Sequence, residues 1–244
     1  MNPSRGQAGT MLPSRQPWTS RNGIPPVTLK WSYGTDYTGG SYPVIADVDG
    51  DNKTEVIVNY AWTVDALNGT GNWVRSYSVS GEGSPFGGPV VADLYGKGVL
   101  QVLFEAYGDV RSFNGTGAQN WRTNLYSLLG SPSVGDVDGD GKLEVVIGTG
   151  AAYGYVYSIN GTTGVTEWQY PAEGTGVFAD PTIADVNGDG KLDVVVAVGN
   201  SQGDIHCLNT TAQGGYVHSL WDYSTNNTPG SNLWYSSPAV ADID

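Results

Sequence analysis

With 244 residues, 36 glycines, 15 tyrosines, 8 tryptophans and only 11 lysines and arginines, the chain lacks the residues of long surface helices and suits short strands joined by tight turns. Its formal charge of −13 excludes the basic footprint of a nucleic-acid binder and disfavours docking on an anionic membrane. The single cysteine, Cys207, excludes an internal disulfide and a CxxC metal site, and no apolar stretch could span a bilayer.

Residues 1–25 contain no signal-peptide core and read as an N-terminal extension, with the repeats occupying 26–244. The first patterned segment, Pro26–Tyr33 (PVTLKWSY), resembles only the final, Trp-bearing strand of the unit that follows. That unit then recurs as SYPVIADVDGDNKTEVIV from Ser41, GGPVVADLYGKGVLQVLF from Gly87, GSPSVGDVDGDGKLEVVI from Gly130, ADPTIADVNGDGKLDVVV from Ala179 and SSPAVADID from Ser236. The leading Asp falls at 47, 93, 136, 185 and 242, in steps of 46, 43, 49 and 57 residues. Each acidic loop is followed by an apolar run, an Asn-Gly-Thr type turn and a Trp: DALNGTGNWV, RSFNGTGAQNW, YSINGTTGVTEW and HCLNTTAQGGYVHSLW. Asn-Gly between apolar runs predicts a hairpin with both turn residues at positive φ; Thr210 breaks that pattern in the last copy.

One unit therefore holds four short strands, roughly Ser131–Asp136, Leu143–Thr149, Tyr155–Ile159 and Thr166–Tyr170 in the third copy. A period near 45 residues built this way predicts an all-β fold, a β-propeller of four-stranded antiparallel blades. Four full blades span about 41–78, 87–126, 130–171 and 179–224, and a partial blade spans 236–244. The end pieces cannot complete a blade together, which predicts further blades C-terminal to this sequence, or self-assembly.

Three loops place oxygen ligands at positions 1, 3, 5 and 9: Asp47, Asp49, Asp51 and Glu55; Asp136, Asp138, Asp140 and Glu144; Asp185, Asn187, Asp189 and Asp193. Gly50, Gly139 and Gly188 at position 4 permit the curl, and the position-7 carbonyls of Lys53, Lys142 and Lys191 are the natural backbone donors. Hard oxygen donors without His or Cys point to Ca2+ rather than zinc, and the flexible set suits calcium better than magnesium. The spacing is not that of an EF-hand, since the position-9 acid already opens a strand. The second loop keeps Asp93 but carries Tyr95, Lys97 and Gln101 at positions 3, 5 and 9, so it is expected to be metal-free, with Lys97 able to pair with Asp93. The fifth loop supplies Asp242 and Asp244. About three structural calcium sites are expected, and affinities of about 10⁻⁴–10⁻³ M, typical of extracellular calcium modules, predict an extracellular or cell-surface location.

The loop, preceded by Pro-Val-Ile-Ala and followed by Glu-Val-Ile-Val, resembles the FG-GAP repeat of integrin α-type propellers, also called VCBS-like, from about Ser41 to Asp244. The resemblance implies a calcium-stabilised propeller of secreted or cell-surface proteins, often adhesive or carbohydrate-binding. The Asn-Gly-Thr-Gly…Trp element is also similar to the turn-and-Trp pattern of quinoprotein-type propellers, without their adjacent cysteines. Asn-x-Ser/Thr occurs at Asn52, Asn68, Asn114, Asn160, Asn209 and Asn226; all but Asn52, which lies in an acidic loop, are glycosylation candidates at accessible turns.

No catalytic constellation stands out. His206 and His218 are read as structural, Glu105, Asp109, Glu167 and Glu173 carry no distinguishing pattern, and no GxSxG or phosphate-binding loop is present. The expectation is a non-enzymatic surface, adhesion or binding module whose partner is a carbohydrate or a surface protein. The alternative is the propeller part of a polysaccharide lyase-like enzyme with its chemistry outside these residues.

Overall fold

The structure, a computed structural model, describes residues 28–34, 42–60, 63–78, 87–106, 108–126, 130–150, 154–172, 176–199, 203–211, 217–224 and 236–243. The N-terminal extension 1–25, Asn226, Glu173 and Asp244 lie outside them. The described residues form sixteen strands in four antiparallel sheets, with no helix among them. Blade 1 orders Val44–Ala46 (β1), Glu55–Tyr60 (β2), Thr63–Leu67 (β3) and Trp73–Ser78 (β4). Blade 2 has Val90–Ala92 (β5), Gln101–Ala106 (β6), Asp109–Asn114 (β7) and Gln119–Asn124 (β8). Ser133–Gly135 (β9), Glu144–Gly148 (β10), Gly154–Asn160 (β11) and Thr166–Ala172 (β12) make blade 3. Thr182–Ala184 (β13), Asp193–Val198 (β14), Asp204–Asn209 (β15) and His218–Ser224 (β16) make blade 4.

Successive residues of a strand face opposite ways, so the Val- and Ile-rich second strands bury both faces. Ile57, Val64 and Tyr77 of blade 1 meet Val102, Phe104 and Phe113 of blade 2, the two Phe rings stacked 5.2 Å apart. Leu103, Val110 and Trp121 then pack against Val145, Ile147 and Ile159 of blade 3. Val146, Val156 and Trp168 pack against Val194, Val196 and Leu208 of blade 4. No sheet has a private core; each core belongs to two neighbouring blades, which is propeller packing, and the ring is not closed.

The turns differ from the two-residue hairpin expected from Asn-Gly. Positive φ falls at Gly71, Gly117 and Gly164, three or four residues after the Asn, and neither Asn68, Asn114, Asn160 nor the glycine after each adopts it. Gly71 N–H donates to the Asn68 carbonyl (2.8 Å) and Gly117 N–H to that of Asn114 (2.9 Å). The register shifts in the strands just before the turns, as in a wider turn closed by a bulged glycine. Asn is chosen here for its side chain. Oδ1 of Asn68, Asn114, Asn160 and Asn209 accepts both the N–H and the hydroxyl of the Thr two residues on, at 2.7–3.1 Å. The Asn-x-Thr pattern is thus explained by turn chemistry.

The bulge also moves the Trp of the first blade. Trp121 lies opposite Ser112, Trp168 opposite Ser158 and Trp221 opposite Cys207, but in blade 1 that register position, opposite Ala66, holds Arg75. Trp73 sits one pair along, opposite Leu67, and is 48% exposed.

Several contacts join consecutive blades. Trp121 lies on the next blade's turn: its Nε1–H donates to the Gly161 carbonyl (2.8 Å), and a Cβ on Gly164 would come 2.9 Å from its ring. Trp31, from the N-terminal segment, meets Gly71 in the same way (2.7 Å). In blades 2 and 3 the glycine after the turn Asn is also tucked under the acidic loop of the preceding blade. A Cβ on Gly115 would overlap the Val48 carbonyl oxygen, and one on Gly161 would meet Leu94 Cδ2 at 3.0 Å. In blade 4 this position is Thr210, whose hydroxyl donates to the Val137 carbonyl of blade 3 and to that of Leu192 (2.7 Å). Along the inner strands Ser133 Oγ donates to the Pro181 carbonyl (2.5 Å), and Thr182 Oγ1 repeats this on Pro238 (2.6 Å), so residues 236–243 lie where an inner strand would follow blade 4.

Candidate metal centres

The loops between first and second strands curl because their position-4 residues, Gly50, Gly139 and Gly188, hold φ of 76–79°. In the same three loops position 6 also lies at positive φ, as Asn52, Gly141 and Gly190. The position-1 Asp caps the curl. Oδ1 of Asp47, Asp136 and Asp185 accepts the N–H of position 4 at 2.7–2.8 Å, and Oδ2 that of position 6 at 2.8–3.1 Å. Position 3 (Asp49, Asp138, Asn187) accepts from the N–H of position 5, and position 5 (Asp51, Asp140, Asp189) from that of position 7.

Position 9 fastens the strand to the loop. Glu55, Glu144 and Asp193 each accept the N–H of position 2, at 3.2, 2.9 and 3.1 Å. All three are buried, and burial first, then the neighbouring loop carboxylates, raises their pKa; Glu144 is pushed up to about 7.

Carboxylate oxygens of positions 1, 3 and 9 converge within 4.8 Å in two loops: Asp47, Asp49 and Glu55, and Asp136, Asp138 and Glu144. The position-5 acids stand apart. Asp51 Oδ2 pairs with Lys53 Nζ (2.9 Å) and Asp140 Oδ2 with Lys142 Nζ (2.5 Å), contacts that hold both carboxyls below and both ammoniums above their ordinary ranges. The fourth loop forms no such carboxylate triple among the described residues, because Asn187 replaces one acid; Asp185, Asp189, Lys191 and Asp193 keep the same backbone pattern. Asp242 is exposed in the segment after blade 4.

The donor set fits a hard cation. Glu144 is fully buried, and its Oε1 has no hydrogen-bond partner among the described residues while it belongs to the Asp136/Asp138 cluster. A buried, unsatisfied carboxylate oxygen beside two further carboxylates calls for a positive charge. Asp136, Asp138 and Glu144 would hold calcium there, with Asp140 free to join once Lys142 turns away. The ion would supply charge neutralisation and further oxygen coordination.

The second loop shows how a blade manages without these acids. Gln101 Oε1 accepts the Leu94 N–H (2.8 Å), as the acids do, but its Nε2 donates to the Val99 carbonyl (2.7 Å), the position-7 oxygen that the metal reading assigns to calcium. Asp93 accepts the N–H groups of Lys97 (3.0 Å) and Gly98 (2.5 Å), which hold its carboxyl low. Of the two arrangements open to Lys97, a pair with Asp93 or an ordinary solvated loop, the structure does not show the pair; the ammonium lies over the Tyr95 ring, 5.9 Å from the centroid.

Sequence reasoning missed two charged residues beside the loops. Arg75 Nη2 lies 3.1 Å from Asp49 Oδ2, and Glu167 is held by Asn160 Nδ2 (2.8 Å) next to the third loop. Burial, then the nearby Asp138 and Asp140, raises the Glu167 carboxyl. Neither has a repeat signature, because both lie on fourth strands whose bulge hides their register.

The remaining acids have structural partners. Asp109 accepts from Arg111 (2.9 Å), Arg122 (2.7 Å) and Asn124 (2.8 Å), and Glu105 accepts the Gly87 N–H (3.3 Å). His206 Nδ1 lies 3.0 Å from Asp222 Oδ1 and 3.2 Å from the Tyr170 hydroxyl, linking blades 3 and 4, whereas His218 is exposed. Cys207 is fully buried, and burial followed by the Asp193 charge pushes its thiol up to about 11. We expect it to resist alkylation in the folded protein and to react only on denaturation; fast labelling under native conditions would contradict this.

No helix among the described residues is long and apolar enough to cross a membrane. Residues 136–196 match the FG-GAP-like repeat family and residues 179–220 the FG-GAP repeat family, so the chain carries FG-GAP repeats in its second half. No curated protein matches it in sequence. Among solved structures it is similar to quinohemoprotein alcohol dehydrogenase from Comamonas testosteroni, with a TM-score of 0.57 and 18% identity over 81% of this chain and 36% of that one. It is also similar to BamB from Moraxella catarrhalis, with a TM-score of 0.53 and 19% identity over 81% of this chain and 55% of that one. The C-terminal domain of PilY1 from Pseudomonas aeruginosa gives a TM-score of 0.51 and 20% identity over 66% of this chain and 39% of that one. At such identities the likeness is one of fold, and the chain spans 36–55% of the length of these three chains.

Proposed function

We propose that these FG-GAP blades form a calcium-stabilised, non-catalytic binding module of an extracellular or cell-surface protein. The observation that carries the reading is that Glu144, whose buried Oε1 has no partner among the described residues, converges with Asp136 and Asp138. Such a cluster is costly without a cation, and loops of this kind fill at the about millimolar calcium found outside cells. Extracellular placement follows from that affinity. For the ligand, Tyr126 and Trp73 leave aromatic surface exposed that suits stacking on sugar rings, so carbohydrate is the preferred partner.

Metal binding is tested by titrating the chelator-stripped protein with calcium in a calorimeter. About three ions per chain are expected at about 1 mM free calcium. Asp138→Ala should remove one ion, and Tyr95→Ala, in the second loop, should remove none. A protein that takes up no calcium under these conditions overturns the reading. A glycan array then tests the partner, and binding only to surface proteins in a parallel pull-down would replace carbohydrate with protein.

A further inference from the structure

The first and third loops converge the same three carboxylates, yet the charges around them are opposite. Beside the first loop stands Arg75, in the register position that Trp occupies in the other three blades. Its Nη2 is 3.1 Å from Asp49 Oδ2, and both side chains are about three-quarters buried, at 23% and 24% exposed. The guanidinium Nε has no partner among the described residues, and Nη2 is the atom that Asp49 holds. Beside the third loop the equivalent position is the uncharged Trp168, and its neighbour Glu167 adds a carboxylate close enough to Asp138 and Asp140 for their charges to act on it. The first loop therefore sets four acids against Lys53 and Arg75, and the third sets five acids against Lys142 alone.

We propose that Arg75 is a tethered competitor for the cation at the first loop, so that the loops fill in order, with the third, helped by Glu167, ahead of the first. This rests on the calcium reading above. A divalent ion bound by Asp47, Asp49 and Glu55 must share the Asp49 carboxylate with the guanidinium and sit near its charge. At partly buried positions one such charge weakens a divalent site by about tenfold or more. Because Gly115 of blade 2 lies against Val48 and Asp49, filling of the first loop is felt at the blade 1–blade 2 contact. The first blade then responds to calcium in a concentration range where the third is already saturated.

Calcium titrations of the full chain by calorimetry, repeated with terbium luminescence, test the order. Asp49→Asn and Asp138→Asn, expected to abolish the first-loop and third-loop sites respectively, assign the two constants. Arg75→Gln should strengthen the first-loop constant by about tenfold, whereas Arg75→Lys, which keeps the charge, should stay within about twofold of the parent. Glu167→Gln should weaken the third-loop constant by about threefold or more and leave the first-loop constant unchanged. An unchanged first-loop constant in Arg75→Gln, or an equal gain in Arg75→Lys, overturns the proposal while the calcium reading stands. A parent protein that binds no calcium overturns both.

Discussion

Chelating calcium is expected to lower the melting temperature by about 8–16 °C. A ligand that binds only the folded state stabilises it by about 1.4 kcal/mol per site at tenfold excess over its dissociation constant, hence about 4 kcal/mol for three sites. For a domain of this size each kcal/mol corresponds to about 2–4 °C. The pH response should invert as well. In the metal-free protein Glu144 is raised from its ordinary 4.5 to about 7, so the folded state holds its proton more tightly than the unfolded chain does. The stability from that proton is fully present below about 4.5 and is lost as pH rises through 7, so the chelated protein should melt higher at pH 5 than at pH 8. Calcium needs the ionised carboxylate, so the loaded protein should melt higher at pH 8. Melting curves at both pH values, with calcium and with chelator, check this. Parallel pH responses in the two conditions would mean that Glu144 does not face the ion.

Gly115→Ala should destabilise the protein by on the order of 3 kcal/mol or more, about 6–12 °C in melting temperature. The added methyl would overlap the Val48 carbonyl oxygen, a backbone atom of a loop already fixed by Asp47 and Glu55. Neither side can yield without separating blades 1 and 2. Gly69 is the matched control. It holds the same place in the first blade's turn, has ordinary φ, and a Cβ there would meet nothing within 4 Å. Gly69→Ala should therefore change stability by no more than about 0.5 kcal/mol. Chemical denaturation of the two variants gives the comparison, and equal losses would show that helical or turn propensity, not the inter-blade contact, sets the cost.

The acidic loops were legible because capping chemistry fixes residue types at fixed spacings. Asp at position 1 accepts two loop N–H groups, Gly at position 4 takes positive φ, and the acid at position 9 accepts the N–H of position 2, demands few other residues meet, and the loops repeat them. Blade number and strand order followed from the same spacing. What the sequence concealed depends on register. Asn-Gly suggested a two-residue turn, but the Asn side chain and a later glycine build a wider one, and the resulting bulge puts Arg75, not Trp73, in the Trp position. The double role of Gln101 was hidden because its amide nitrogen bonds to Val99, a residue with no side-chain signature. Lys97 drew attention to Asp93 by charge, yet the Tyr95 ring was the nearer support.

The tucked turn also bears on how such a chain could have arisen. At each of the three junctions between the four blades, the loop of one blade receives the turn of the next. A gene segment encoding one blade therefore encodes both halves of the joint, and a tandem duplication yields two units that fit each other at once. Spacer length hardly matters to such a joint, in keeping with steps of 46, 43, 49 and 57 residues. Each copy can then vary by itself: Thr210 stands at the joint position held by glycine in the other blades and makes its own hydrogen bonds, and Gln101 stands where three blades have an acid. Blades lost, gained or exchanged between genes would dock with the same hand and in the same order.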